Sequence, residues 1–487
     1  MPKVSFPTDP PFLPVPAADA MPARTMTAVA AAGRRVGLHA PHRLCLSAIT
    51  LLLLGFVLGG RGFAHLGIPP VFVSDVTLAL CVCLFLSHPV VAPLVRSRVV
   101  LLLVLFDAFG FARTVPFLDE FGGDALRDGV LYGYSLFALM IGATLAEEDA
   151  IRGFLALFDK MSTTAVILLP LFLAVSELSP PALDATLPLV TIKSGDAAVH
   201  LAGFMAFRLL GLHTLARAGR SWPFWLDALF WVCAIGTTIW TISATRSGMA
   251  AILVALLIVV LAGHGRRRMV LFATITVASL LFLSAFGTHV ERDRRDFSAA
   301  QIIANATTLA TPELGGGQDG RVDYMDMQST IQWRLAWWSR IVDDTVLGDH
   351  FWAGRGFGLN LADADGFQTN PLAPLRSPHN AMMTVLARMG VPGLTVWITL
   401  LASFAGALLR TAVRMRACRA VGWDRLCLWV LSFWAACLVN GSFDVYLEGP
   451  QGGIWFWSIF GLGLAVLDVT ARTGPPPPSP APGTAQG

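Results

Sequence analysis

Apolar runs of membrane-crossing length recur along almost the whole chain, and no other feature limits its fold so tightly. They lie near residues 44–60, 72–90, 97–113, 127–146, 161–178, 195–213, 223–243, 247–263, 268–287, 380–410, 425–441 and 451–470. About 20 helical residues cross the hydrocarbon core of a bilayer, and in lipid a lone segment satisfies its own backbone only as a helix. The pattern therefore predicts an all-α, polytopic integral membrane protein with about twelve transmembrane helices. Composition agrees: 55% of the 487 residues are hydrophobic and 14% are charged, a balance that a bilayer accommodates and a water-bathed domain does not. The sixth run is the weakest, because Asp196, His200 and Arg208 interrupt it.

Arginine placement sets the orientation. With a cytoplasmic N-terminus, the inner connectors hold Arg96, Arg98, Arg152, Lys160, Arg217, Arg220, the run Arg266-Arg267-Arg268, and Arg410, Arg414, Arg416, Arg419 and Arg425. The short outer connectors hold only Arg61, Arg113, Arg127 and Lys193, with Arg246 at the edge of a span. This is the asymmetry of the positive-inside rule. The expected organisation is a cytoplasmic tail over residues 1–42, transmembrane helices 1–9 over 43–287, an outer loop with short helices over 288–378, helices 10–12 over 379–471, and a cytoplasmic tail over 472–487. The Pro- and Ala-rich start reads as a disordered tail and not as a cleaved signal, since the first apolar run sits too far in. In the outer loop, Gly315-Gly316-Gly317-Gln318-Asp319-Gly320 reads as flexible. A net charge of +3 gives no reason to expect a nucleic acid partner. The seven cysteines lie in apolar runs or an Arg-rich connector, so neither a disulfide framework nor a metal site is expected.

Ser377-Pro378-His379-Asn380 opens the tenth apolar run. Ser377 suits an N-cap and Pro378 the first helical position, which predicts His379 and Asn380 in the first turn. Free N–H groups there favour an anion and a neutral imidazole, which can accept a proton near neutral pH; a His that only caps the helix is the plainer alternative. Arg246, in Thr245-Arg246-Ser247-Gly248, joins two apolar helices at their outer ends and must snorkel, pair or bind an anion. Arg334 lies in Gln332-Trp333-Arg334-Leu335-Ala336-Trp337-Trp338, on an expected interfacial helix over residues 326–344. There it either grips a diphosphate bidentately or simply faces solvent, and Arg340 is a second candidate on the same helix. Gly354-Arg355-Gly356-Phe357-Gly358 lacks the strand and spacing of a nucleotide loop and reads as a turn. Asp444 and Glu448, in the outer connector of residues 440–452, are the acids best placed to support an outward-facing site. Asp75 and Asp107 are expected as buried partners of Arg or as helix-end groups. Two Arg and one His on one side suit displacement of a diphosphate: the cations neutralise the leaving group and the imidazole deprotonates an attacking hydroxyl. Fixed cations then make a metal unnecessary, no cofactor is expected, and attack opposite the leaving group inverts the anomeric centre.

Thr245-Arg246-Ser247-Gly248, Arg334 followed by Trp338 and the Gly354–Gly358 turn, and His379-Asn380 followed by Gly390-Val391-Pro392-Gly393 together resemble the O-antigen ligase and O-antigen polymerase superfamily of bacterial membrane glycosyltransferases. The likeness covers roughly residues 187–409. It implies a helical, GT-C-like fold in the bacterial inner membrane with both termini cytoplasmic and a periplasmic active site. It also implies transfer of a glycan from undecaprenyl diphosphate to a hydroxyl of lipid A-core or of another glycan, with membrane lipids as surroundings. The resemblance assigns His379 as acceptor-activating base and Arg246 and Arg334 as diphosphate clamps, with Asn380, Lys193, Trp338 and Arg340 as substrate-binding candidates. Lys193 stands where relatives tend to carry Arg, and Arg388 is a second departure. A polymerase uses the same donor and differs only in acceptor, so it stands as the alternative. A lipid or glycan transporter is a further alternative, although no internal repeat marks one, and an assembly scaffold is the last.

Overall fold

The computed structural model describes residues 40–68, 71–87, 97–179, 188–217, 222–263, 266–285, 301–303, 305–306, 324–368, 374–420 and 422–473, and a helix occupies each apolar run. The first half comprises α1 (Ala40–Ala64), a small antiparallel hairpin of β1 (Gly67–Ile68) and β2 (Val71–Phe72), then α2 (Val73–Ser87), α3 (Arg98–Ala112), α4 (Leu118–Phe121), α5 (Gly123–Gly133), α6 (Ser135–Thr144) and α7 (Glu148–Leu178). Then follow α8 (Ser194–Leu209), α9 (Leu212–Ala216), α10 (Phe224–Ala244), α11 (Arg246–Leu261) and α12 (Arg266–Ala285). The last part comprises α13 (Tyr324–Val342), α14 (Leu361–Asp365), α15 (Ala381–Ala417), α16 (Trp423–Gly441) and α17 (Pro450–Thr473). Among the described residues six helical stretches are long and apolar enough to cross a membrane, against the twelve or so expected. The expectations for residues 1–39, the glycine-rich stretch 315–320 and the tail 474–487 lie outside the described residues.

Two boundaries differ from expectation. The fourth run is two helices, α5 and α6, meeting at Tyr134. The fifth helix begins at Glu148 and not near residue 161, with Glu148 and Asp149 in its first turn, where acidic side chains complement the helix dipole. Arg152 and Lys160, expected in a connector, are therefore on the helix itself.

The weakest apolar run is the most deeply packed. In α8 every residue from Gly195 to Leu209 is buried, against α10, α11 and α16. Its polar side chains face protein and not lipid, which is where such groups are tolerated. At one end, Arg208 Nη1 lies 2.6 Å from Asp227 Oδ1 and its Nη2 donates to Thr163 Oγ1 at 2.6 Å. Asp159 is shared with Arg217, whose Nε is 2.7 Å away, and Phe230 lies under the Arg208 guanidinium at 4.4 Å. Two cations and two carboxylates thus cancel inside the array, as buried charge requires.

Helix α15 is broken at Gly390, where φ is +67°. Pro392 has no N–H for the carbonyl of Arg388, and the kink frees the carbonyl of Ala387 as well. The Gly354–Gly358 turn fills both vacancies: Gly356 N donates to Arg388 O at 3.0 Å and Arg355 N to Ala387 O at 2.7 Å. Val391 N donates in return to Phe351 O at 2.8 Å. The turn reading of this motif holds, with positive φ at Gly354, Gly356 and Gly358. Arg388 is buried beneath it, 2.9 Å from Asp128 Oδ2 and bonded to the carbonyls of Gly356 and Leu359 at 3.3 Å each.

The helix ends sort into two groups. Arg416 Nη1 donates to Ala262 O at 2.7 Å, and Arg414 Nη2 to Thr470 O at 3.2 Å, so the C-terminal ends of α11, α15 and α17 meet at the arginine-rich end. The starts of α8, α11 and α15 lie at the opposite end. Replacing Gly390 with alanine places a Cβ 2.5 Å from Phe351 O. Together with the left-handed backbone this costs about 1–3 kcal/mol. The expected result is a lowered melting temperature of the detergent-purified protein; an unchanged one contradicts the stitched kink.

Candidate active site

Three segments far apart in sequence meet at the end opposite the arginines. Lys193 precedes α8, His379 precedes α15, and Asp444 lies in the connector between α16 and α17. Lys193 Nζ lies 2.8 Å from Asp444 Oδ1 and 2.9 Å from its Oδ2, while His379 Nδ1 is 3.4 Å from Oδ1. Burial opposes ionisation of Asp444, yet the adjacent His379 and the Lys193 ammonium outweigh it and hold the carboxyl well below the usual carboxylate range. Arg334 joins the group electrostatically: burial lowers its proton affinity and the Asp444 charge raises it in part. Its Nε is buried and makes no hydrogen bond among the described residues.

The turn that carries Arg246 packs against the same corner. Thr245 is the N-cap of α11, accepting from Gly248 N at 3.3 Å, and Arg246 is the first helical residue. A Cβ at Gly195 would stand 3.2 Å from Asn440 Oδ1 and 3.3 Å from Ser247 Oγ, so the glycine lets this turn close on the start of α8. Asn440 at the end of α16 donates to Asp196 Oδ1 at 3.3 Å. A continuous chain of contacts therefore runs from the Arg246 turn through Gly195, Asp196 and Asn440 to the connector bearing Asp444.

The local structure at His379 corrects the sequence reading. Asn380, not Ser377, is the N-cap: its Oδ1 accepts from Met382 N at 2.9 Å and Met383 N at 3.2 Å. His379 stands one residue before the helix in a left-handed backbone, φ +56°, and not within its first turn. Asn380 directly adjoins the first apolar residues, so its side chain reaches the N–H groups that open the helix. The Asn380 carbonyl oxygen, expected to face substrate, is spent on capping. Ser377 is buried beside it.

Helix α13 crosses over this corner. Trp338 Nε1 donates to Pro378 O at 2.8 Å, which fixes the residue before His379, and the Trp333 ring lies 6.2 Å from the imidazole. Trp337 and Ile341 pack with Leu361, Ala362, Leu386 and Ala387 in a small second core. Arg340 is exposed near the end of α13. Glu448 is nearby, accepting from Thr384 Oγ1 at 2.7 Å; burial raises its carboxyl above the usual range. Asp75 and Asp107 serve helix ends and interhelical bonds instead, accepting from Phe72 N at 2.9 Å and Ser135 Oγ at 2.6 Å. Of the candidates, Lys193, Asp444, His379, Arg334 and Trp338 are thus brought together, and the Arg246 turn adjoins them. The Lys193–Asp444 pair was foreseen only as two separate candidates.

Residues 231–398 match the family model described as O-Antigen ligase. The match supports the O-antigen ligase and polymerase superfamily and takes in Arg246, Arg334 and His379, whereas Lys193 and Asp444 lie outside it. No curated protein matches the chain. Removing the cap with Asn380→Ala is expected to cost about 1 kcal/mol of stability, visible in thermal unfolding, with Asn380→Ser recovering most of it. Equal losses from Ser377→Ala and Asn380→Ala would contradict the assignment.

Proposed function

We propose, from the O-antigen ligase match and the cluster around Asp444, that the protein transfers a glycan from undecaprenyl diphosphate to a hydroxyl of lipid A-core at the periplasmic face of the inner membrane. The observation that carries this reading is the placement of His379 against Asp444, with Lys193 paired to the same carboxylate and Arg334 within its electrostatic reach. Asp444 next to Nδ1 favours the tautomer with hydrogen on that nitrogen, so Nε2 is the acceptor. Nε2 takes the proton of the acceptor hydroxyl, its oxygen attacks the anomeric carbon, and the bond from that carbon to the diphosphate oxygen breaks. The leaving diphosphate departs with the electron pair, and Arg246 and Arg334 neutralise its charge by bidentate hydrogen bonds. Attack from the face opposite the diphosphate inverts the sugar.

Lys193 then acts through Asp444. Its ammonium keeps the carboxylate ionised and in place, a task for which a compact point charge serves without a guanidinium fork. Trp338 also acts indirectly, by holding Pro378. The orientation follows from the arginines: the cluster lies at the end away from Arg414 and Arg416, which the positive-inside rule puts in the cytoplasm. Polymerisation of the same lipid-linked glycan uses the same donor chemistry, and the acceptor alone separates the two.

Deletion of the gene is expected to leave bare lipid A-core and long polymer on undecaprenyl diphosphate. His379→Ala and Arg246→Ala, present at normal membrane levels, reproduce that phenotype. Asp444→Asn is expected to lower kcat about 100-fold or more with little change in the donor KM. Core capped by a single repeat unit would instead identify a polymerase, and full complementation by either alanine variant removes that residue from the mechanism.

A further inference from the structure

Three tryptophans follow one another along α13, and the structure gives them different surroundings. Trp337 is fully buried, with Phe367 stacked parallel on its face at 5.5 Å and 5° and its indole N–H donating to Asp365 Oδ2 at 2.8 Å. Trp338 spends its N–H on Pro378 O. Trp333 is half-buried. Its neighbours Trp337, Phe367 and His379 all meet it at steep angles, 67°, 72° and 73°, so among the described residues no ring lies flat on it. Among the described residues its N–H has no hydrogen-bond partner. Three rings thus surround the half-buried indole without stacking on it, and one of them is the imidazole. The next residue in the chain is Arg334.

An aromatic face with a free N–H at its rim suits an amphipathic flat partner, with C–H groups over the ring and a hydroxyl at the donor. A pyranose ring has that form. A phosphate does not, because the aromatic face carries partial negative charge. We propose that Trp333 is the platform of the acceptor sugar, stacking on the ring whose hydroxyl His379 deprotonates. The proposal rests on the transfer reading above and adds to it the residue that orients the acceptor. The imidazole lies 6.2 Å from the indole centre, a separation that places a hydroxyl of a stacked sugar within reach of the ring nitrogen. Donor diphosphate is left to the guanidinium groups.

The test is steady-state transfer by the full-length protein in detergent, with lipid A-core from the deletion strain as acceptor and undecaprenyl-diphosphate-linked glycan as donor. Trp333→Phe retains a flat ring and Trp333→Leu retains only apolar volume, so comparing them separates stacking from packing. Trp333→Leu is expected to raise the acceptor KM roughly three- to tenfold while the donor KM stays within twofold, and Trp333→Phe to recover most of the loss. Equal acceptor KM for the wild-type, Phe and Leu proteins, or a rise confined to the donor KM, overturns the platform. Lack of transfer by the wild-type protein overturns the underlying reading instead. If Trp333→Leu does not fold, the Trp333→Phe and Trp333→Tyr proteins must both keep the acceptor KM within about threefold, and a larger rise in either contradicts stacking.

Discussion

A carboxylate shared between an ammonium and an imidazole holds one end of this molecule together. Asp444 is half-buried, and a charge drawn out of water is tolerable only if its partners are close. Lys193 meets both of its oxygens and His379 approaches one. The three residues belong to segments that enter α8, enter α15 and link α16 to α17, so satisfying one charge fixes the relative positions of the helices. The same contact orients the imidazole. The packing of this end thus depends on one ion pair, and in the proposed function so does the orientation of the base.

The rest of the array prepares that contact. The break in α15 at Gly390 turns the first two helical turns toward the corner, and the glycine-rich turn stitched into the break makes the bend permanent. Gly195 removes a side chain where the Arg246 turn must close. At the far end the Arg208, Arg217, Asp159 and Asp227 cluster secures the other terminus of α8. Polar residues that weaken α8 as an apolar run are thus the ones that anchor it within protein.

Helix positions were legible because a long apolar run folds as a helix, although only six such stretches among the described residues are long and apolar enough to cross a membrane. The exceptions have plain causes. Hydropathy trimmed the start of α7, since Arg152, Asp159 and Lys160 look like connector residues although the helix continues through them. It also fused α5 and α6, because a corner between two apolar helices changes no residue type. His379, Arg246 and Arg334 were picked out as candidates by motif and position, whereas the N-cap was placed at Ser377 because Pro378 suits a first helical position, and the structure caps at Asn380 instead. The Lys193–Asp444 pairing spans 251 residues and leaves no local pattern. Opposite charges in two outer connectors were its only sequence signal.

The central claim of the proposed function is spatial: His379, Lys193 and Arg334 gather at one corner that faces the outer side of the membrane. Single cysteines at these positions, in a protein lacking the seven native ones, test it through labelling by a membrane-impermeant maleimide in cells with a permeabilised outer membrane. The account predicts labelling of all three from outside, and loss of labelling at all three when undecaprenyl diphosphate is added. Labelling from the cytoplasmic side only, or protection of one position without the others, would contradict it.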